Sequence, residues 1–215
     1  MLRKQIAALV LLAVVGAGGV TSCQQSGFQY VKSEEAGTIF KVPSDWELYT
    51  EEEALGLGSS GLSPEQRQRR MASEWAVAFD SSPEPSMNNV FNRQAPFPTG
   101  FAHVRVLTER ERDTYSFESM RNEVYPLDDL STLENTVDQI DLEELVEEDG
   151  YRGLRQIYTL RTETGGFYTF QQITMVDPST SIAYVFVVGC EANCYEQNQE
   201  VIDEVAQSWT VEDVR

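Results

Sequence analysis

Apolar positions along the chain change spacing several times, and each change predicts an element. Ile6 to Val20 holds only apolar residues and glycine. Thr38–Val42 and Glu47–Tyr49, separated by Pro43-Ser44-Asp45-Trp46, read as two short strands of an opening hairpin. Residues 24–36 are polar and acidic without a period and read as a tether, and 51–62 reads as loop. Ser63-Pro64-Glu65-Gln66 combines a cap, a first-turn proline and a third-position glutamine, which predicts a helix running to about Ser73. Trp75–Phe79 and Phe101–Leu107 are strand-like, and the segment 81–100 between them carries four of the eight prolines. That segment is expected to be a long irregular loop. Ser116 and Ser119 open a helix expected to reach about Tyr125.

The second half is more regular. Asp149-Gly150, Gly165-Gly166 and Asp177-Pro178-Ser179 are turn signals. They divide Tyr151–Thr162, Phe167–Val176 and Ile182–Val188, rich in β-branched and aromatic residues, into an antiparallel meander. Ile182–Val188 is almost continuously apolar, so both faces of this strand should be covered. Asp141–Glu148 suits a short helix and a strand equally. Tyr195, Val201, Ile202, Val205 and Trp209 fall on one side of a final helix, with Asn193 and Glu196 expected to cap its start. Helices on either side of a mostly antiparallel sheet imply an α+β chain folded as an α/β/α sandwich.

Composition narrows the function. The chain has 215 residues, 41% hydrophobic and 24% charged, enough apolar material for one packed core. Its net charge is −19, from 16 Lys+Arg against 35 Asp+Glu. A chain so acidic has no basic footprint with which to displace counterions, which excludes a nucleic-acid binder that tracks phosphates.

The N-terminus carries the most specific signal. Arg3 and Lys4 precede the apolar run Ile6–Val20, which spans about 22 Å as a helix, short of a hydrocarbon core of roughly 30 Å. A signal peptide over 1–22 fits better than a permanent span. The run closes on Val20-Thr21-Ser22-Cys23, which resembles a bacterial lipobox, with Val20 where Leu is preferred and Ser22 where Gly or Ala is. The resemblance implies that Cys23 is acylated and becomes the new N-terminus, followed by a tether over 23–36 and a single domain over 37–215. The protein is then a lipoprotein anchored at the extracytoplasmic face of a cell membrane. Two or more acyl chains hold stably where one does not. Cys190 and Cys194 stand in C-x3-C spacing, and export favours a disulfide between them.

Several of these segments meet in one resemblance. Phe40-Lys41-Val42-Pro43-Ser44-Asp45-Trp46, the glycine of Tyr151-Arg152-Gly153-Leu154-Arg155, the hairpin 167–188 and the closing Ile202…Ser208-Trp209 resemble the Mog1/PsbP-like superfamily. Its LpqN-like and DUF1795-type groups are bacterial lipoproteins. The resemblance implies a sandwich fold and a tendency to serve as binding or assembly partners. It carries over no catalytic residue.

Candidate chemistry does not converge on an enzyme. His103, the one histidine, lies in an alternating strand pattern, and no G-x-S-x-G elbow or H-E-x-x-H helix is present. The cluster Asp138, Asp141, Glu143, Glu144, Glu147, Glu148, Asp149 lacks the ligand order of a calcium loop and reads as a solvated face. No metal site and no cofactor are expected. Phe91, Phe97 and Phe101, interleaved with Pro96 and Pro98, form a candidate interaction loop. The expected function is a non-enzymatic, membrane-anchored module that binds a cell-envelope protein or component. The alternatives are an envelope hydrolase using paired carboxylates and a calcium-binding surface protein.

Overall fold

In a computed structural model of the chain, residues 27–56, 61–131, 137–147 and 149–212 are described. Cys23 and the apolar run before it lie outside them. The elements in order are β1 (Phe28–Ser33), β2 (Thr38–Pro43), β3 (Glu47–Tyr49), α1 (Glu51–Gly56), α2 (Pro64–Ser73), β4 (Glu74–Asp80), α3 (Met87–Val90) and β5 (Thr99–Val106). There follow α4 (Glu109–Thr114), α5 (Phe117–Arg121), α6 (Leu127–Ser131), β6 (Val137–Val146), β7 (Arg152–Arg161), β8 (Phe167–Val176), β9 (Ile182–Glu191), α7 (Ala192–Gln207) and β10 (Thr210–Val211). A seven-stranded sheet runs β3-β4-β5-β9-β8-β7-β6, and a three-stranded one runs β1-β2-β10. Every pairing is antiparallel.

The meander expected from the three turn signals is β7-β8-β9, and β9 is the pivot of the large sheet. Tyr184, Phe186 and Val188 face one core and Val185 and Val187 the other, so both faces of this strand are buried. On the first face lie α7 and β2. There the Phe186 ring meets Phe40, Phe79 and Trp209 at centroid distances of 5.2, 5.9 and 5.7 Å. On the second face α1 and α3 cover β4 while α5 covers β7 and β8. The chain therefore has the expected α/β/α layering, with a small sheet added to the α7 layer.

Several segments depart from the sequence reading: the helix expected to reach Tyr125 ends at Arg121, and the segment 81–100 contains the short helix α3. Thr38–Val42 and Glu47–Tyr49 do not form a hairpin, because β2 pairs with β1 and β10 while β3 pairs with β4. The Pro43–Trp46 turn, closed by the Trp46 N–H donating to the Pro43 carbonyl at 3.1 Å, carries the chain from one sheet to the other. Trp46 is buried there, stacked on Phe79 at 5.7 Å. The stretch read as tether contains β1. Gln29 Nε2 donates to the Trp46 carbonyl at 2.6 Å, and the Lys41 ammonium lies 4.1 Å above the Phe28 ring. Main-chain pairing rather than burial holds this strand, which is why no apolar run announces it.

Residues 51–56 form a helix whose first turn is three glutamates, favourable at the positive end of the helix dipole. The ambiguous segment 141–148 belongs to a strand, β6. The predicted cap of α7 also moves. Its N-cap residue is Glu191, without a side-chain cap, and Asn193 sits inside the first turn with its amide donating to Glu191 at 2.9 Å.

Cys190 at the end of β9 is bonded to Cys194 in the first turn of α7. Closing a loop this short contributes about 2 kcal/mol in the chain-entropy view.

Candidate functional site

A groove of about 350 Å³ opens on the second face of the sheet. Its floor follows from strand alternation: Ala76 and Ala78 from β4, Phe101 and His103 from β5, Val185 and Val187 from β9 all line it. The two alanines leave room that larger side chains on neighbouring strands do not. Ala54 and Leu55 of α1, with Met87, Val90 and Phe91 from the segment 81–100, form one side; Val124 and Tyr125 form another. The long loop thus borders a concavity. Its volume falls at the lower end of the range typical of small-ligand pockets, roughly 300–1,000 Å³.

Phe91 is 56% exposed and stacks on Phe101 with ring centroids 6.0 Å apart. Phe97 does not join them. It lies on the far side of the loop, in a separate depression with Asp80, Asn89 and Pro96. The expected interaction loop therefore presents two of its three phenylalanines to the groove. The wall itself is fixed from beneath by Asp80, which is fully buried. Its carboxylate accepts hydrogen bonds from the Ser82 and Ser86 N–H groups and the Asn89 amide, each at 2.8 Å, and from the Ser82 hydroxyl at 3.1 Å.

One end of the groove is polar. His103 Nε2 lies 3.0 Å from Glu74 Oε2, and the same carboxylate accepts from Arg70 Nε at 3.1 Å. Arg70 also donates to the Leu55 carbonyl at 3.1 Å, so this chain of charges ties α2 to α1 and β4. Beside it Arg105 bonds Glu123 at 2.7 Å and Glu111 at 2.8 Å, and the Tyr115 hydroxyl donates to Glu123 at 2.9 Å. Burial, then the Glu123 charge, pushes the Tyr115 phenol far up, which keeps it a donor.

These groups are committed to one another. His103 is not set against a hydroxyl or thiol but against a carboxylate that an arginine already holds. A glycosidase pair needs two carboxyls facing across a cleft at roughly 5–10 Å. Among the described residues lining this groove Glu123 is the one carboxylate. The acidic cluster offers no convergence either, since on β6 successive side chains point to opposite faces. Among the described residues no three His, Cys, Asp or Glu side chains gather as metal ligands; Glu148 lies outside them.

The ion chain has a pH consequence. Hydrogen bonding from His103, supported by Arg70, holds the Glu74 carboxyl below its ordinary 4.5 although burial pushes it upward. A depressed carboxyl stabilises the fold fully above its unfolded value, and that contribution disappears as pH falls through the folded one. Acidification through and below about pH 4 should therefore cost the wild-type chain more stability than Glu74→Gln, read as melting temperature against pH. Parallel profiles would show that the pair contributes nothing.

Phe91 and Phe101, expected from the sequence in an interaction loop, line the groove, as do Ala76, Ala78, Tyr125 and Val187, which the sequence reading does not single out. The Ala-x-Ala spacing in Trp75-Ala76-Val77-Ala78-Phe79 was the available signal for a floor with room above it.

No protein-family model matches the chain, and no curated protein matches it by sequence. Among solved structures it superposes on cyanobacterial PsbP from Synechocystis sp. PCC 6803 with a TM-score of 0.52 at 13% identity, over 91% of this chain and 98% of that one. The chain has the Mog1/PsbP-like fold. LpqN of Mycobacterium tuberculosis, described as involved in cell envelope biogenesis, aligns at TM-score 0.47 and 12% identity, over 86% of this chain and 92% of that one. The Ran-binding protein Mog1p of Saccharomyces cerevisiae aligns at 0.45 and 8%, over 86% and 96%. Identities this low establish architecture alone, so function must be argued from this chain's own groove.

Proposed function

We propose that the protein is a lipid-anchored extracytoplasmic binding module, and that the groove over β4, β5 and β9 engages a cell-envelope protein or component. The observation that carries this reading is the groove itself. Its floor is apolar, its polar end is internally satisfied, and its mouth presents Phe91 to solvent on a wall pinned by Asp80. Aromatic side chains half in and half out of a concavity supply contact area at low entropic cost. The anchoring rests on the basic N-terminus, the apolar run and Val20-Thr21-Ser22-Cys23. A disulfide at Cys190–Cys194 suits the oxidising side of a membrane. Among the described residues no helix is long and apolar enough to cross a membrane.

A photo-reactive residue placed at position 91 of the full chain, in a lipoprotein-processing bacterium, should yield a reproducible adduct. The same residue at position 196, on the exposed face of α7, should not, and Cys23→Ser should abolish both membrane retention and the adduct. Equal labelling from both positions would refute the groove. Retention of Cys23→Ser in the membrane would refute the anchor.

A further inference from the structure

The far end of the large sheet, opposite the groove, is built differently. β6 is its outermost strand, and among the described residues nothing pairs with its outer edge. It is ten residues long and mostly exposed, with Ile140, Leu142 and Val146 at 59%, 42% and 77%. An open edge of this length presents a row of main-chain donors and acceptors, a template that soluble proteins ordinarily blunt, and here the Leu142 N–H already donates to the Asp141 carboxylate at 3.0 Å. One shift of register between Gln139 and Asp141 is the main irregularity. Pairing with β7 sets Asp141, Glu143 and Leu145 opposite Ile157, Arg155 and Gly153, so these project toward the α7 layer while Leu142, Glu144 and Val146 project the other way.

Arg155 forms ion pairs with Asp141, Glu143 and Asp203 at 3.8, 3.7 and 3.8 Å, so one guanidinium is shared among three carboxylates and the row keeps a net negative charge. Next to this acidic row a cavity of about 470 Å³ opens on the α7 side, lined among others by Glu143, Glu147, Asp149, Tyr151 and Trp209. Trp209 is 6% exposed and stacked on Phe186, and its indole N–H finds no acceptor among the described residues.

We propose that β6 is a docking edge for an extended segment of another polypeptide, one that alternates lysine or arginine with apolar residues. The segment adds as an eighth strand. Its main chain pairs with β6, its basic side chains meet Asp141, Glu143 and Glu147 on the α7 side, and its apolar side chains pack beside Leu142 and Val146. Strand addition draws affinity from main-chain bonds and selectivity from alternate side chains. Charge selects the occupant. A second copy would set one acidic strand against another, and like charges directly opposed across strands are destabilising. A basic partner reverses that sign and approaches faster in the field of a chain whose net charge is −19. This inference does not depend on the groove.

The test uses the full chain in nonionic detergent and a labelled ten-residue peptide of alternating lysine and valine, followed by anisotropy and by hydrogen exchange. Binding is expected with slowed exchange of the amides of β6, and a glutamate–valine peptide should not bind. The triple variant Asp141→Asn/Glu143→Gln/Glu147→Gln, whose substituted side chains are all exposed, should melt as the wild type does and bind the peptide about tenfold more weakly. Phe91→Ala should leave the affinity unchanged. The proposal is overturned if the peptide does not bind, if it binds without protecting β6, if affinity follows Phe91, or if the β6 amides are already protected by self-association of the free chain.

Discussion

Gly100→Ala is expected to destabilise the fold by about 3 kcal/mol and to lower the melting temperature by about 10 °C. Gly100 lies in β5 between Phe79 of β4 and Val188 of β9. A Cβ there would stand 2.1 Å from the Val187 carbonyl oxygen and 2.4 Å from the Phe79 ring. The carbonyl belongs to the central strand and cannot withdraw without breaking its ladder. The ring is held among Phe40, Trp46 and Phe186, so it cannot swing aside either. Gly61→Ala is the matched control, because a Cβ there meets nothing within 4 Å. It should change stability by less than about 0.5 kcal/mol. Thermal denaturation of the two variants side by side decides the matter, and equal melting temperatures would contradict the packing described. Gly153 stands in the same situation against the Thr174 carbonyl, at 2.2 Å. Gly153 is thus a place where two strands approach too closely for any side chain.

Asp80→Ala is expected to cost about 3–4 kcal/mol and, unlike the glycine change, to act on the binding face as well. Four donors converge on this buried carboxylate, from Ser82, Ser86 and Asn89. Truncation removes the acceptor that these part-buried donors share, and the segment that carries Met87, Val90 and Phe91 loses its pin. Hydrogen exchange should quicken across residues 82–90, and the adduct from position 91 should fall with it. Asp80→Asn keeps the shape and one acceptor oxygen, so about half of the stability loss is expected. If Asp80→Ala melts with the wild type, the loop is held by something other than the carboxylate.

Long periodic segments were legible before the structure. The turn pairs at Gly150, Gly165–Gly166 and Pro178 delimited β7, β8 and β9, and the apolar stripe of α7 appeared at its spacing, because burial on a regular element imposes a regular pattern. Segments held by other means were not. β1 is an edge strand secured by main-chain pairing and by Gln29, so Lys32 within it and Glu34 and Glu35 just after it masked its alternation. The Pro43–Trp46 turn looked like a hairpin because local chemistry specifies that the chain turns but not which sheet receives it. The groove was half legible. Phe91 and Phe101 stand out in a polar loop, whereas a concavity is made by what Ala76 and Ala78 lack. Phe97 shares their stretch of sequence, but the loop folds it to the other side.

The strand found inside the expected tether changes how far such a protein could reach. With a linker ending near residue 36, a domain anchored at Cys23 could rise some 45–50 Å from its lipid. β1 begins at Phe28, which leaves four residues between, at most about 18 Å of extended chain from Cys23 to Phe28. An acylated chain would then work on a short leash, its sampling confined to a thin shell above the headgroups. Partners presented at the bilayer surface would meet it at high effective concentration, and those deeper in the envelope would have to come to it. The same leash would bring an acidic surface close to a Debye length, about 8 Å at physiological salt, from anionic lipid. Ionic strength would then set the standoff of the whole domain.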